Sequence, residues 1–346
     1  MGIKINELVA EVKRPISFVN LLNKKIAIDA FNTLYQFLAI IRQFDGTPLM
    51  DKEGNVTSHL SGLFYRNINF LEHDIKPIYV FDGEASDLKL DTIRERKEIK
   101  EDARARMIKA QDKEDFKEAK KYAQLTSKLN TNMINESKKL LEYMGIPILD
   151  ASSEGEAQSA FLVNNGDAWA CASQDYDTLL FGCERLVRNF AVSRKKKVKD
   201  TTDTLDIEYI SLTKFLDNLS ISREQLIDMG ILIGTDFYPG IKGIGQHKAL
   251  DYIKKYGSID NIIKEKVKIL GQELEPEMIK NVKSLFLNPD VKKEYPPIKW
   301  KKVDYEKVEE FLVEYHDFSE QRVKSALERL MKKNSSKKQV SLGDFL

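Results

Sequence analysis

Lys25-Ile26-Ala27-Ile28-Asp29 and Pro77-Ile78-Tyr79-Val80-Phe81-Asp82 are two short apolar runs, each closed by an aspartate. Their length and β-prone residues predict buried strands. Between them, residues 59–74 carry Leu60, Leu63, Phe64, Ile68 and Leu71 at helical spacing. Strand, helix, strand predicts a parallel sheet with right-handed crossovers. A third strand is expected near Trp169 to Cys171. The fold class is therefore α/β, with a mainly parallel central sheet flanked by helices. Such sheets bind ligands beyond the carboxyl ends of their strands. Asp29 and Asp82 fall at that edge, and the third strand brings Asp175 and Asp177 to it.

Three more carboxylates occupy similar positions: Glu154 and Glu156 in SSEGEAQ (152–158), and Asp236 in ILIGTDF (231–237). Convergence of all seven would make a dense anionic site. Two like charges about 4 Å apart repel by roughly 4 kcal/mol at an effective dielectric near 20, so such a cluster calls for a cation. An all-oxygen donor set suits a hard ion such as Mg²⁺ or Mn²⁺, and hence phosphate chemistry. Each residue also has a local explanation. Asp29, Asp82 and Asp236 suit turns or helix N-caps. Ser153-x-x-Glu156 matches a capping box, although Gly155 is a poor choice within a helix. Asp175 and Asp177, two apart, would point the same way in an extended segment.

The remaining composition limits the alternatives. The chain has 346 residues, 42% hydrophobic and 32% charged, with a net charge of only +1. Any nucleic-acid surface must therefore be local. Two cysteines and four scattered histidines give neither a disulfide framework nor a structural zinc pattern. The start, MGIKINELVAEVKR, lacks the apolar core of a signal peptide, and no run of about 20 apolar residues suits a membrane span. A monomer in a reducing compartment, the cytoplasm or a nucleus, is expected.

Between Glu84 and Lys121 there are 12 Lys or Arg and 11 Asp or Glu, with sparse apolar residues. This segment, to about Lys128, predicts a solvent-exposed helical insertion. Arg96, Lys100 and Arg104 recur every fourth residue and give it one basic face. RKKKVK (194–199) is a second basic run. In Pro239-Gly-Ile-Lys-Gly-Ile-Gly245, glycines precede a helical stretch, and backbone amides plus a helix N-terminus suit a phosphate. Gly243, Gly245, Lys242 and Lys248 are the expected contacts to a DNA backbone. The last segment, NSSKKQVSLGDFL (334–346), predicts a flexible tether ending in apolar residues that dock in a partner's groove.

In order, the segments MGI (1–3), IDAFNTLYQFL (28–38), TSHLSGLFYRN (57–67), KPIYVFDG (76–83), SEGEAQ (153–158), SQDYDTLLFG (173–182) and GTDFYPGIKGIG (234–245) resemble the flap endonucleases. These are XPG-type structure-specific 5′ nucleases, and the short tail resembles their archaeal members. The resemblance runs from Met1 to about Leu330. It implies a two-metal nuclease that cuts 5′ flaps and trims 5′ ends in replication, including Okazaki fragment maturation, and in repair. Asp29, Asp82, Glu154 and Glu156 would hold mainly one Mg²⁺, and Asp175, Asp177 and Asp236 mainly the other, with Mn²⁺ able to substitute. Lys89 and Arg96 would face the scissile phosphate, and Tyr35 would stack on a base. Gly2 would lie against the site and the DNA. Residues 84–128 would form a helical arch. Residues 223–260 would be a helix–hairpin–helix that grips duplex DNA and a K⁺ ion.

The implied organisation is one nuclease domain, 1–330, with parts 1–83, 84–128, 129–222, 223–260 and 261–330. A flexible tail, 331–346, would complete the chain. Its Gln339, Leu342, Phe345 and Leu346 resemble a box that binds the PCNA sliding clamp. That box usually ends in two aromatics; here it ends Phe-Leu. The stretch after FDGE is ASDLK rather than the family's proline-containing one. Alternatives are a Holliday-junction resolvase or 5′ exonuclease of the same superfamily, and a non-catalytic, clamp-tethered binder of DNA structures.

Overall fold

The computed structural model describes residues 2–343 except 85, 113–114, 192–194, 199–200 and 205. The side chains of 87, 90–97, 111–112, 116–117, 119–120, 195–198, 201–204 and 336–343 are likewise not described. Nine strands are described: β1 (Arg14–Ile16), β2 (Lys25–Asp29), β3 (Lys76–Phe81), β4 (Ile148–Asp150), β5 (Ala170–Ala172), β6 (Arg185–Arg188), β7 (Lys195–Val198), β8 (Thr201–Thr204) and β9 (Ile207–Ser211). Seven form one sheet in the order β1-β9-β6-β5-β2-β3-β4, while β7 and β8 pair separately. The central pairings β6-β5-β2-β3-β4 are parallel, and β9 is antiparallel to both neighbours.

Both faces of the sheet are buried. Ile26 and Ile28 of β2 point into one core with Tyr79 and Phe81, whereas Ala27 points into the other with Ile78 and Val80. The alternation follows from the two-residue repeat of a strand, and helices cover both sides. The Ala30–Ile40, Ser58–Glu72 and Thr131–Tyr143 helices contribute to the first core. The Gly155–Asn164, Arg223–Ile233 and Gln246–Tyr256 helices contribute to the second.

Strand order sets the position of the site. The chain builds β2, β3 and β4 outward, then returns to place β5 on the other side of β2. A crevice opens at that reversal, beyond the carboxyl ends. Asp29 aligns with Val80, so Asp82 lies just past the end of β3; Ala172 aligns with Ile28, so the chain leaves β5 beside Asp29.

The charged insertion contains two helices, Leu90–Asp112 and Phe116–Leu125, packed on each other. Residues 331–343, expected as part of a flexible tail, continue the last helix, which runs from Glu320 to Gly343. No glycine or proline interrupts that helix before Gly343, and Lys333 ties its flank to Asp74 at 2.8 Å. Its polar composition obscured that continuity.

Candidate active site

Five segments at the ends of strands and helices carry the seven carboxylates, and electrostatics links them into one network. Asp29 ends β2 and caps the next helix, accepting the Asn32 amide at 2.9 Å. Burial and the neighbouring charge of Asp82 push its carboxyl up to about 8, with Asp175 adding to the effect. Asp82 accepts the Gly155 amide at 2.8 Å, and burial with the charge of Glu154 raises it to about 6. Asp177 accepts the Ile3 amide at 2.7 Å. Burial raises it to about 7, reinforced by Asp236 and Asp175. Glu156 is also raised, by burial and then by Asp177, Asp175 and Asp29. Its charged neighbours thus include members of both implied ligand groups.

These shifts have one cause: anions brought together out of water. Among the described residues no trio of His, Cys, Asp or Glu is drawn tightly enough to enclose an ion by itself. The donors nevertheless fit a hard divalent cation. They are oxygens, buried or partly buried, and burial beside neighbouring anions raises Asp29, Asp82, Glu156 and Asp177.

Local backbone geometry decides the ambiguous residues. The helix cap before Gly155 is Glu154, not Ser153, and it makes no capping hydrogen bond from its side chain. The capping-box reading of Ser153 and Glu156 thus fails. Glu156 accepts Ser173 Oγ at 3.1 Å and Thr178 Oγ1 at 3.3 Å instead. Gly155 is required because a Cβ there would come within 2.6 Å of Asp82 Oδ1. Asp175 and Asp177 do not lie on an extended segment: Asp177 opens the short Asp177–Leu180 helix. Long-range donors orient the pair. The Gly2 amide meets Asp175 at 3.0 Å, and Asn32 Nδ2 meets it at 2.8 Å. A Cβ on Gly2 would approach Asp177 Oδ1 to 2.8 Å.

Lys89 reaches into the cluster from the base of the insertion. Its Nζ donates to Glu154 at 2.5 Å and lies 5.6 Å from the centre of the Phe237 ring. Glu154, Asp82 and Asp236 all favour its charged form, which outweighs burial and raises its pKa. Tyr35 is partly exposed, with Lys100 Nζ 4.9 Å from its ring centre, so the insertion touches the Ala30–Ile40 helix. Arg104 is exposed. The side chains of Arg96, of the 194–199 run, and of Gln339, Leu342, Phe345 and Leu346 lie outside the described residues.

The glycine hairpin joins the Arg223–Ile233 and Gln246–Tyr256 helices. Buried Ile241 and Ile244 anchor it. Gly243 takes a φ of +89°, which favours glycine, and Gly245 has open space beside it. Lys242 is exposed, and Lys248 Nζ donates to the Gly243 carbonyl at 3.2 Å.

Sequence reasoning missed Asn32, Ser173 and Thr178, which orient Asp175 and Glu156. Asn32 carried a signal. It sits one turn after Asp29, where the amide side chain is not needed for the helix.

Residues 1–103 match the XPG N-terminal domain and 145–236 match the XPG I-region. Flap endonuclease 1 of Staphylothermus marinus is 48% identical over 337 residues, covering 96% of this chain and 95% of its own. Flap endonuclease 1 of Methanobrevibacter smithii is 49% identical over 340 residues, covering 98% and 99%. The solved flap endonuclease-1 from Methanococcus jannaschii superposes with a TM-score of 0.72 at 40% identity, over 96% of this chain and 99% of that one. The catalytic core of Rad2 in complex with DNA substrate shares the fold, with a TM-score of 0.70 at 23% identity, covering 95% and 100%. The chain belongs to the flap endonuclease 1 family, in its archaeal form. It is a structure-specific nuclease that hydrolyses phosphodiester bonds, and this family of nucleases is metal-dependent in general. Among the described residues no helix is long and apolar enough to cross a membrane.

Proposed function

We propose that the chain cuts branched DNA at the junction between a 5′ flap and duplex, and that the same centre trims 5′ ends. The observation that carries this reading is the linkage of Asp29, Asp82, Glu156, Asp175, Asp177, Glu154 and Asp236 through mutual repulsion, with one partly buried lysine, Lys89, among them. A protein that only bound DNA would gain nothing from placing seven anions where phosphate must come.

Asp29, Asp82, Glu154 and Glu156 would hold mainly one Mg²⁺, and Asp175, Asp177 and Asp236 mainly the other; Mn²⁺ suits the same donors. When bound, the two ions supply an activated water and stabilise the leaving oxygen of the phosphodiester. Uncatalysed hydrolysis of that bond is so slow that the barrier must fall by something like 20 kcal/mol. Lys89 contributes positive charge that acts only once a phosphate stands beside it, and so favours the transition state over the free strand. Arg96 extends that charge along the insertion. Tyr35 offers a ring for the base next to the cut, and Lys100 and Arg104 line the path of the displaced strand. Gly2 keeps the first residues slim enough for DNA to approach.

Gly243, Gly245, Lys242 and Lys248 grip the duplex backbone, and the hairpin would also hold a K⁺ ion. Recognition reads shape and backbone rather than bases. Gln339, Leu342, Phe345 and Leu346 form the docking box for a PCNA-type clamp, through which the enzyme joins replication and repair. The protein works as a monomer in the compartment that holds the DNA.

The test uses 5′-labelled flap, nicked and four-way DNA with Mg²⁺ or EDTA. Mg²⁺-dependent release of the flap strand, in preference to four-way cutting, is expected. Preferential resolution of four-way junctions would transfer the assignment to a resolvase. Tight binding without cutting would leave only a DNA-structure binder.

A further inference from the structure

The first helix, Asn6–Val9, has no cap of its own, since Ile5 makes no capping hydrogen bond from its side chain. Its free amides are met from a distant part of the chain. Gln246 Oε1 accepts the Glu7 amide at 3.1 Å and the Leu8 amide at 3.4 Å. The neighbouring His247 Nε2 lies 2.7 Å from Glu7 Oε2. Gln246 and His247 open the helix after Gly245, so the cap is supplied by the glycine hairpin. At the other end of the same strap, Gly2 and Ile3 donate their amides to Asp175 and Asp177. The strap has little slack. Ile3 and Ile5 are buried, and Gly2 already sits where one added carbon would strike Asp177.

We infer that Gln246 is a positioning residue for the nuclease centre: by capping the N-terminal strap it holds the Gly2 and Ile3 amides on Asp175 and Asp177, and so links the seat of the hairpin on DNA to the acidic site. The inference rests on reading the hairpin as the duplex grip. The role belongs to the side-chain oxygen. A glutamate at 246 keeps that acceptor and also suits a helix N-terminus. A leucine of similar size removes it.

The experiment compares full-length wild type, Gln246→Leu and Gln246→Glu. Four quantities are read: flap-DNA affinity in EDTA, single-turnover rate, the Mg²⁺ concentration for half-maximal rate, and amide exchange in peptides spanning residues 3–9. Thermal midpoints check folding. Gln246→Leu is expected to cut about fivefold more slowly, in line with the loss of one helix cap. It should also need more Mg²⁺ and exchange faster at the strap, with DNA affinity changed less than twofold. Gln246→Glu should restore all three. Unchanged rate and exchange in Gln246→Leu would overturn the inference, because Ile3 and Ile5 would then hold the strap unaided. Equal defects in the two variants would overturn it too. Lost DNA affinity with unchanged strap exchange would make Gln246 a plain hairpin contact. Failure of the duplex-grip reading shows separately, as unchanged DNA affinity in Lys242→Ala and Lys248→Ala.

Discussion

Asp29→Asn should make the metal-free protein more stable while removing its response to Mg²⁺. Asparagine is as good an N-cap as aspartate, so the hydrogen bond from the Asn32 amide survives. Only the charge is lost. In the folded protein the Asp29 carboxyl is raised from 3.8 to about 8 by burial and by Asp82. Each unit is about 1.4 kcal/mol, so at pH 7 the buried acid forgoes about 4 kcal/mol of ionisation that the unfolded chain enjoys. Burying a neutral amide in its place costs about 1–3 kcal/mol. The net gain is about 2 kcal/mol. For a chain of this size the unfolding entropy converts that to a rise in Tm of about 3 °C. The assay is thermal unfolding at pH 7 in EDTA and in Mg²⁺. Wild type should gain stability from Mg²⁺, by about 2.7 kcal/mol at a hundredfold excess over Kd, and Asp29→Asn should gain much less. A lower Tm for the variant in EDTA, or equal Mg²⁺ stabilisation of both proteins, would refute the reasoning.

Other perturbations test other parts of the site. Asp29, Asp82 and Asp177 all have folded pKa values above their unfolded ones, so the stability they contribute is complete below about pH 4. It is lost as pH rises toward 8; unfolding midpoints in EDTA should fall across that window and Mg²⁺ should offset the fall, whereas a flat profile would contradict the shifts. Lys89→Ala should lower the single-turnover rate at least tenfold and flap affinity far less; a defect confined to affinity would remove its catalytic role. Gly155→Ala favours the helix by about 1 kcal/mol, yet its Cβ would meet Asp82 at 2.6 Å. Cleavage should therefore drop more than tenfold without loss of Tm. Deleting residues 339–346 should spare basal cutting and abolish stimulation by the clamp, and unchanged stimulation would exclude the tail from that role.

The sheet was legible because β2 and β3 carry short apolar runs, the first ending in Asp29 and the second followed by Asp82, the pattern of strands buried on both faces. The site was legible as a set of carboxylates but not as a geometry. Asp175 and Asp177 suggested an extended pair, yet amides of Gly2 and Ile3, over 170 positions away, orient them at the start of a helix. No local rule contains that contact. Gly155 was the opposite case: a poor helix residue announced a close approach, and Asp82 is what approaches. The hydroxyls of Ser173 and Thr178 were invisible because such residues commonly serve turns. The terminal helix was hidden for a related reason, since its polar residues are compatible with helix and with coil.

The central claim is that the acidic cluster is one metal-dependent hydrolytic centre. Single-turnover cleavage of a 5′-flap substrate, titrated with Mg²⁺ for wild type, Asp82→Asn and Asp177→Asn, tests it most directly. Both variants should bind the flap as wild type does and cut it more than a hundredfold more slowly at every Mg²⁺ concentration. Near-wild-type rates in either variant, or wild-type cutting in EDTA, would contradict it.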